Sequence, residues 1–264
     1  MPESRPPTAL VTGATAGIGL AFARALAARG CDLVLVARDA ARLEATAADL
    51  RARHGTGVQV LPADLADRTQ LQRVADRVAL ASAPVDLLVN NAGFGLRAGV
   101  LGGDPQEQER MLDVLCRAVL VLSAAAAPAM VARGHGAVLN VSSVAGWTAM
   151  GGYAAAKSWV TVFTEGLAGE LRGTGVVATA LCPGFVRTEF HERAAMDVTG
   201  FPGLLWLDAD DLVERALADV RRGRVVSVPS RRYALLSTLL RAAPRPLVRA
   251  ASGGFSRRRG GAAR

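Results

Sequence analysis

Six short apolar runs, each leading into a segment of helical composition, constrain this 264-residue chain more than any other feature. They are Thr8–Thr12, Leu33–Ala37, Val58–Pro62, Asp86–Val89, Ala137–Val141 and Val176–Leu181. Continuous apolar strands are buried on both faces, so they belong to a parallel sheet covered by helices on either side. Gly17–Arg29, Ala40–Arg53, Asp67–Ala81, Asp104–Arg133 and Gly152–Arg172 read as those helices. Asp67 and Asp104 stand at N-cap positions, and Pro105 follows the second in the first turn. Asp208–Arg222 adds a helix and Val225–Val228 a last short strand.

The first strand runs into Thr12-Gly13-Ala14-Thr15-Ala16-Gly17-Ile18-Gly19. Gly13 permits a tight turn, Gly17 lets backbone N–H groups approach a phosphate, and Gly19 lets helix and strand pack closely. The helix N-terminus adds partial positive charge. A glycine-rich turn alone is a weak signal; its place after the first strand of a βαβ unit is what points to a dinucleotide. The expectation is an α/β Rossmann-type fold, a doubly wound parallel sheet in three layers and one domain. Residues 1–7 read as a flexible N-terminus, 8–230 as the body, and 231–264 as a basic helix and tail.

Composition narrows the class. Half of the residues are hydrophobic, enough for a substantial core. The longest apolar run, Ala118–Ala132, is broken by Ser123 and Pro128 and falls short of the about 20 residues of a membrane span. No secretory leader is visible at the N-terminus. Cys31, Cys116 and Cys182 are odd in number, widely spaced and set in apolar stretches, so they read as buried thiols of a cytoplasmic protein. No metal-ligand spacing appears. The net charge of +8 is localised: residues 220–264 hold 12 arginines and no acid, while the rest is mildly acidic. No nucleic-acid reading module accompanies those arginines, and no nucleic-acid partner is expected.

Thirty arginines accompany a single lysine, Lys157. A chain so biased toward Arg keeps Lys where a compact charge with a shiftable pKa is needed. Tyr153 lies four residues earlier, on the same helix face. An ammonium beside a phenol stabilises the phenolate, and lowering a tyrosine pKa by about 2–3 units takes roughly 3–4 kcal/mol. Such a tyrosine can give a proton to a carbonyl oxygen or take one from an alcohol.

These motifs together resemble the short-chain dehydrogenase/reductase family. The Gly13–Gly19 turn fits its TGxxxGIG, Asn90-Asn91-Ala92-Gly93 its NNAG, Tyr153–Lys157 its YxxxK and Pro183-Gly184 with Thr188 its PGxxxT. The resemblance runs over about residues 8–228, in order. It implies an oxidoreductase moving a hydride between a nicotinamide cofactor and a carbonyl or alcohol. It assigns Ser143, Tyr153 and Lys157 to catalysis, with Ser142 as the alternative serine. It also implies that Asp64 and Leu65 contact the adenine, that Lys157 holds the nicotinamide ribose, and that Thr15, Ile18, Asn91, Ala92, Gly93, Pro183, Gly184, Val186 and Thr188 complete the cofactor contacts.

An acid at the end of the second strand would bind the ribose hydroxyls of NAD. Ala37 and Arg38 stand there instead, and an arginine pairs with a 2′-phosphate, so NADP(H) is the expected cofactor. Asp39 complicates this, since it could neutralise Arg38. Two departures from the family pattern stand out. Leu115 occupies the place of an asparagine that helps relay protons to the lysine, and the Ser143–Tyr153 spacing is three residues shorter than in many members.

Residues 189–207 resemble the family's variable substrate lid and carry Phe190, Met196, Phe201 and Trp206. With Trp147 from the facing loop, they suggest an apolar substrate. His191 reads as a solvated lid residue. The basic segment from Arg231 could lie on an anionic membrane, on a partner subunit or on the acidic body; packing and a homo-oligomer contact are preferred. Two function classes remain: an NADP(H)-dependent reductase or dehydrogenase, and a non-catalytic NADP(H)-binding sensor or scaffold, which only Leu115 favours.

Overall fold

A computed structural model describes residues 5–96, 98–189 and 203–260, the last eight as helical backbone only. Its centre is a seven-stranded, wholly parallel sheet: β1 (Thr8–Thr12), β2 (Asp32–Ala37), β3 (Val58–Pro62), β4 (Leu87–Asn90), β5 (Gly136–Val141), β6 (Val176–Leu181) and, at the edge, Val226–Ser227. A separate two-residue pair joins β7 (Phe185–Val186) to β8 (Trp206–Leu207), and the edge strand is therefore β9. In space the order is β3-β2-β1-β4-β5-β6-β9.

Neighbouring residues of each strand serve opposite layers. Val11 and Leu35 face one side, where they meet α1 (Gly17–Ala27), α2 (Ala40–His54) and, later in the chain, Ala209–Arg221 through Phe22, Leu43 and Val213. Leu10 and Val34 face the other side, against α3 (Arg68–Ala79), α5 (Ala118–Arg133) and α6 (Gly151–Glu170) through Leu71, Leu122 and Leu167. The three-layer, doubly wound expectation therefore holds.

The predicted helix from Asp104 to Arg133 is not uniform. α4 (Pro105–Leu112) passes into α5 through a π turn, Asp113–Arg117. The wider turn lets Val114, Leu115 and Ala118 all face inward. By length and composition Pro105–Arg133 could cross a membrane. Half of its apolar window is buried, however, with Leu122, Ala126 and Met130 packed on the sheet, as in a core helix.

The expected single basic helix at the C-terminus is two. α7 is the segment Ala209–Arg221; α8 (Arg231–Ala242) follows β9, and α9 (Arg245–Gly260) starts after a break at Ala243–Pro244. Pro244 cannot continue the helix of α8, and Ala243 before it is extended.

Candidate active site

The strand order reverses between β1 and β4, and in open parallel sheets ligands bind beyond the strand C-termini at such a point. Thr12 ties the two strand ends together. Its Oγ1 accepts from the N–H groups of Asn91 (2.9 Å) and Ala92 (3.0 Å), while Asn91 Nδ2 donates to the Thr12 carbonyl (2.9 Å).

Gly13 turns with φ of +69°, which side chains disfavour, and a Cβ there would stand 2.9 Å from Asn91 Nδ2. A Cβ at Gly19 would overlap the Gly13 carbonyl oxygen, so α1 rests directly on the turn, as its sequence position implied. Aspartates cap α2, α3, α4 and α7: Asp39, Asp67, Asp104 and Asp208. α1 differs. Its N-cap is Ala16, with no capping side chain and no acid in the first turn. Its first N–H groups lack a helical partner and face the turn, a donor set suited to a pyrophosphate. Thr188 lies against Gly17, bringing the strand-β6 loop to the same place.

Arg38 is exposed at the end of β2. Asp39, which could have neutralised it, accepts from Arg42 N–H at 3.0 Å and caps α2. Asp64 receives Arg110 Nη2 and the Ala66 N–H; against the upward push of burial, these bonds hold its carboxyl below the usual range. Leu65 is buried beside it. Sequence reasoning missed Arg42. It reaches from α2 to the Thr15 carbonyl (3.2 Å) and to Glu189 (3.3 Å), linking the turn to the segment after β7.

Across the cleft, Lys157 is 5% exposed and donates to the Val141 carbonyl at 2.6 Å. Its Nζ lies 5.8 Å from the Tyr153 ring centroid. Burial lowers its pKa to about 8, with Cys116 and Cys182 opposing weakly. A Cβ at Gly93 would be 3.8 Å from Nζ, so the segment after β4 borders the lysine. Leu115 is buried in the π turn against Gly93 and offers no polar atom to a relay. Tyr153 packs with Met111, Leu115, Ala156, Phe94 and Leu96, an apolar wall.

The two serines after β5 take different environments. Ser142 is buried, donates to the Lys157 carbonyl (2.6 Å) and pairs with Thr161 Oγ1 (2.7 Å). Ser143 is half-buried; its Oγ accepts from Ala145 N–H (3.1 Å) and opens the 3-10 turn Val144–Trp147. Pro183 is buried, Gly184 half-buried, and Val186 sits within β7. Ile18 packs on the core from the first turn of α1.

Tyr233, the other tyrosine, was not singled out by the sequence. Its O–H donates to the Leu205 carbonyl (2.7 Å) and accepts from the Phe185 N–H (3.2 Å), joining β7 and the 3-10 turn Gly203–Leu205 to α8. Phe190, His191, Met196 and Phe201 lie outside the described residues. Trp206 falls in β8, where its ring tilts against Phe185 at 5.8 Å.

The family profile for short chain dehydrogenases matches residues 7–198. A short chain dehydrogenase of Pseudocercospora fijiensis is 37% identical over 188 residues, 69% of this chain but only 60% of that protein. The granaticin polyketide synthase putative ketoacyl reductase 1 of Streptomyces violaceoruber is 36% identical over 230 residues, 83% of this chain and 81% of that one. Among solved structures, a short-chain dehydrogenase from Sphingobium yanoikuyae in complex with NADPH superposes with a TM-score of 0.81 at 36% identity, over 90% of this chain and 96% of that one.

Proposed function

The chain belongs to the short-chain dehydrogenase family and is a hydride-transfer oxidoreductase, and from that premise we propose an NADP(H)-dependent reductase or dehydrogenase of apolar ketones, aldehydes or secondary alcohols. The observation that carries the reading is the single lysine, buried one helical turn from Tyr153 beside the NNAG segment.

The residues fit the cofactor. The Gly13 turn and the uncapped N-terminus of α1 would hold the pyrophosphate, and Arg38 the 2′-phosphate. Asp64 and Leu65 would face the adenine; Thr15, Ile18, Asn91, Ala92, Gly93, Pro183, Gly184, Val186 and Thr188 would line the remaining length. When bound, NADP(H) supplies or accepts the hydride. That the NADPH-bound relative shares this fold supports the choice.

Tyr153 donates a proton to the carbonyl oxygen in reduction, or removes one from the alcohol in oxidation. Ser143, whose oxygen lies outside the network that ties Ser142 beneath α6, would hydrogen-bond the same oxygen and stabilise developing charge. Lys157 steadies the phenolate and, with a pKa near working pH, exchanges protons with it. With Leu115 in the relay position, that exchange does not run through the helix after β4. The apolar wall of Phe94, Leu96 and Tyr153, with Phe185 and Trp206 across the lid stems, favours a substrate with little charge.

We also place the protein in the cytoplasm, as its three unpaired cysteines suit a reducing compartment. A homo-oligomer is part of the same reading, supported by exposed Trp159, Val162 and Leu120 on α6 and α5. Following NADPH absorbance over a panel of apolar ketones and aldehydes tests the activity. Tight NADPH binding with no turnover of any, by wild type and by Tyr153→Phe alike, would favour a sensor instead.

A further inference from the structure

The helices α8 and α9 are held on the body by one face. Tyr233 and Ser237 are buried, Val248 is buried, and Ser252 Oγ accepts from the Ala149 N–H at 3.1 Å. Arg241 lies 5.9 Å from the centroid of the Trp147 ring, and Arg232 donates to the Leu204 carbonyl at 2.9 Å. α8 therefore rests both on the turn that carries Trp147 and on the 3-10 turn Gly203–Leu205, and α9 rests on Ala149.

The opposite face of α8 gathers exposed leucines on one short helix. Leu235, Leu236 and Leu239 cluster within two turns and are 65%, 43% and 60% exposed. Arg231 and Arg232 precede them, Arg245 and Arg249 follow on α9, and from residue 220 onward the chain has 12 arginines and no acid. Three leucines at this spacing form a contiguous apolar strip, which a soluble surface rarely leaves bare without a role.

Charge decides the occupant. A symmetric contact with a second copy would set this face on itself, arginine against arginine, with no carboxylate in the segment to neutralise it. A surface that combines an apolar interior with negative head groups satisfies both halves of the strip at once. At 12 residues α8 is too short to span a bilayer, so it would lie in the plane of the interface.

We propose that the Leu235–Leu236–Leu239 face of α8, with its flanking arginines, docks this protein on anionic lipid membranes. The docking face begins within a turn of Arg232 and Tyr233, which hold the 3-10 turn Gly203–Leu205 just before β8, so the proposed substrate cleft is carried next to the bilayer. The inference does not depend on the reaction assigned above.

Flotation of the full chain with vesicles tests it. Phosphatidylcholine vesicles containing about one-third phosphatidylglycerol should carry the protein, and pure phosphatidylcholine at least about tenfold less, with binding weakening as salt rises. The double substitution Leu235→Ser/Leu239→Ser should lower the anionic-vesicle affinity about a hundredfold while leaving the melting temperature unchanged, since both side chains are exposed. Equal flotation with both vesicle types, none with either, or undiminished binding by the double variant would overturn the proposal. A concentration-dependent dimer that the same double substitution abolishes, without vesicle binding, would assign the strip to a second copy instead.

Discussion

Tyr233 stands against Gly184 so closely that a Cβ at position 184 would fall within 2.1–2.4 Å of three of its ring carbons. The glycine of the Pro-Gly segment is thus needed for the approach of a C-terminal helix. Gly184→Ala must push the ring outward and disturb its bonds to Leu205 and Phe185. Overpacking of this kind costs about 1–3 kcal/mol. Tyr233→Phe, which removes only the hydroxyl, should cost about 1 kcal/mol. Chemical denaturation of both variants and of the double variant checks this: the two contributions should couple rather than add. Strict additivity would break the link.

Lys157 gives the chain a pH dependence of unusual sign. An ordinary lysine pKa is near 10.5, and burial brings this one to about 8. In that interval the unfolded chain binds more protons than the folded one, so stability rises with pH through the window. Below it the folded state carries the whole cost of a buried ammonium, about 3 kcal/mol at about 1.4 kcal/mol per unit. Lys157→Met removes that cost and also loses the bond to Val141, worth about 1 kcal/mol. In the cofactor-free protein the variant should therefore be the more stable by about 2 kcal/mol near pH 7. The advantage should shrink as pH rises toward about 10. Urea midpoints of the two proteins across that range give the answer, and a constant difference would contradict it.

The adjacent serines should separate stability from turnover. Ser142→Ala removes two buried hydrogen bonds, although Thr161 Oγ1 still donates to the Lys157 carbonyl, a loss of about 1 kcal/mol, with kcat little changed. Ser143→Ala removes a half-buried oxygen and, on the proposed mechanism, should lower kcat by about 100-fold or more with a small change in Tm. Thermal melts and initial rates on one ketone distinguish the two. A swap of the two phenotypes would move the oxygen-stabilising role to Ser142.

What the sequence disclosed depended on how local the cause was. β1, β3 and β6 begin and end where their apolar runs do, because burial on both faces writes itself as an unbroken hydrophobic string. The caps Asp67 and Asp104 act within three residues and were equally readable. The π turn at Asp113–Arg117 was not, since its residues suit an ordinary helix and the wider turn accompanies the fit of Leu115 against Gly93. Tyr233 and Arg42 stayed hidden for a related reason. Their partners are backbone atoms at Leu205, Phe185 and Thr15, which any sequence supplies and no motif marks. The different surroundings of Ser142 and Ser143 stayed hidden too, since only the packing of α6 shows which one turns beneath it.

The proposed preference for NADP(H) turns on Arg38. Asp39 turns its carboxylate to the N-terminus of α2, and Arg38 stands exposed at the end of β2, where its charge also helps to hold the Asp64 carboxyl below the usual range. A bidentate, charge-assisted pair with a 2′-phosphate is worth about 1.5–3 kcal/mol, or roughly 10- to 100-fold in affinity. Arg38→Asp should erase that gain and add repulsion, while offering NADH a carboxylate for its ribose hydroxyls. Wild type should bind NADPH more tightly than NADH, and the variant should reverse the order. Fluorescence titration of both nucleotides measures it directly. Asp39→Ala serves as the control: it should cost about 1 kcal/mol of stability through the lost cap and leave the nucleotide preference in place. Were Asp39→Ala to strengthen NADPH binding as much as Arg38→Asp weakens it, the carboxylate would be acting on the phosphate site after all, and the selectivity would belong to the pair.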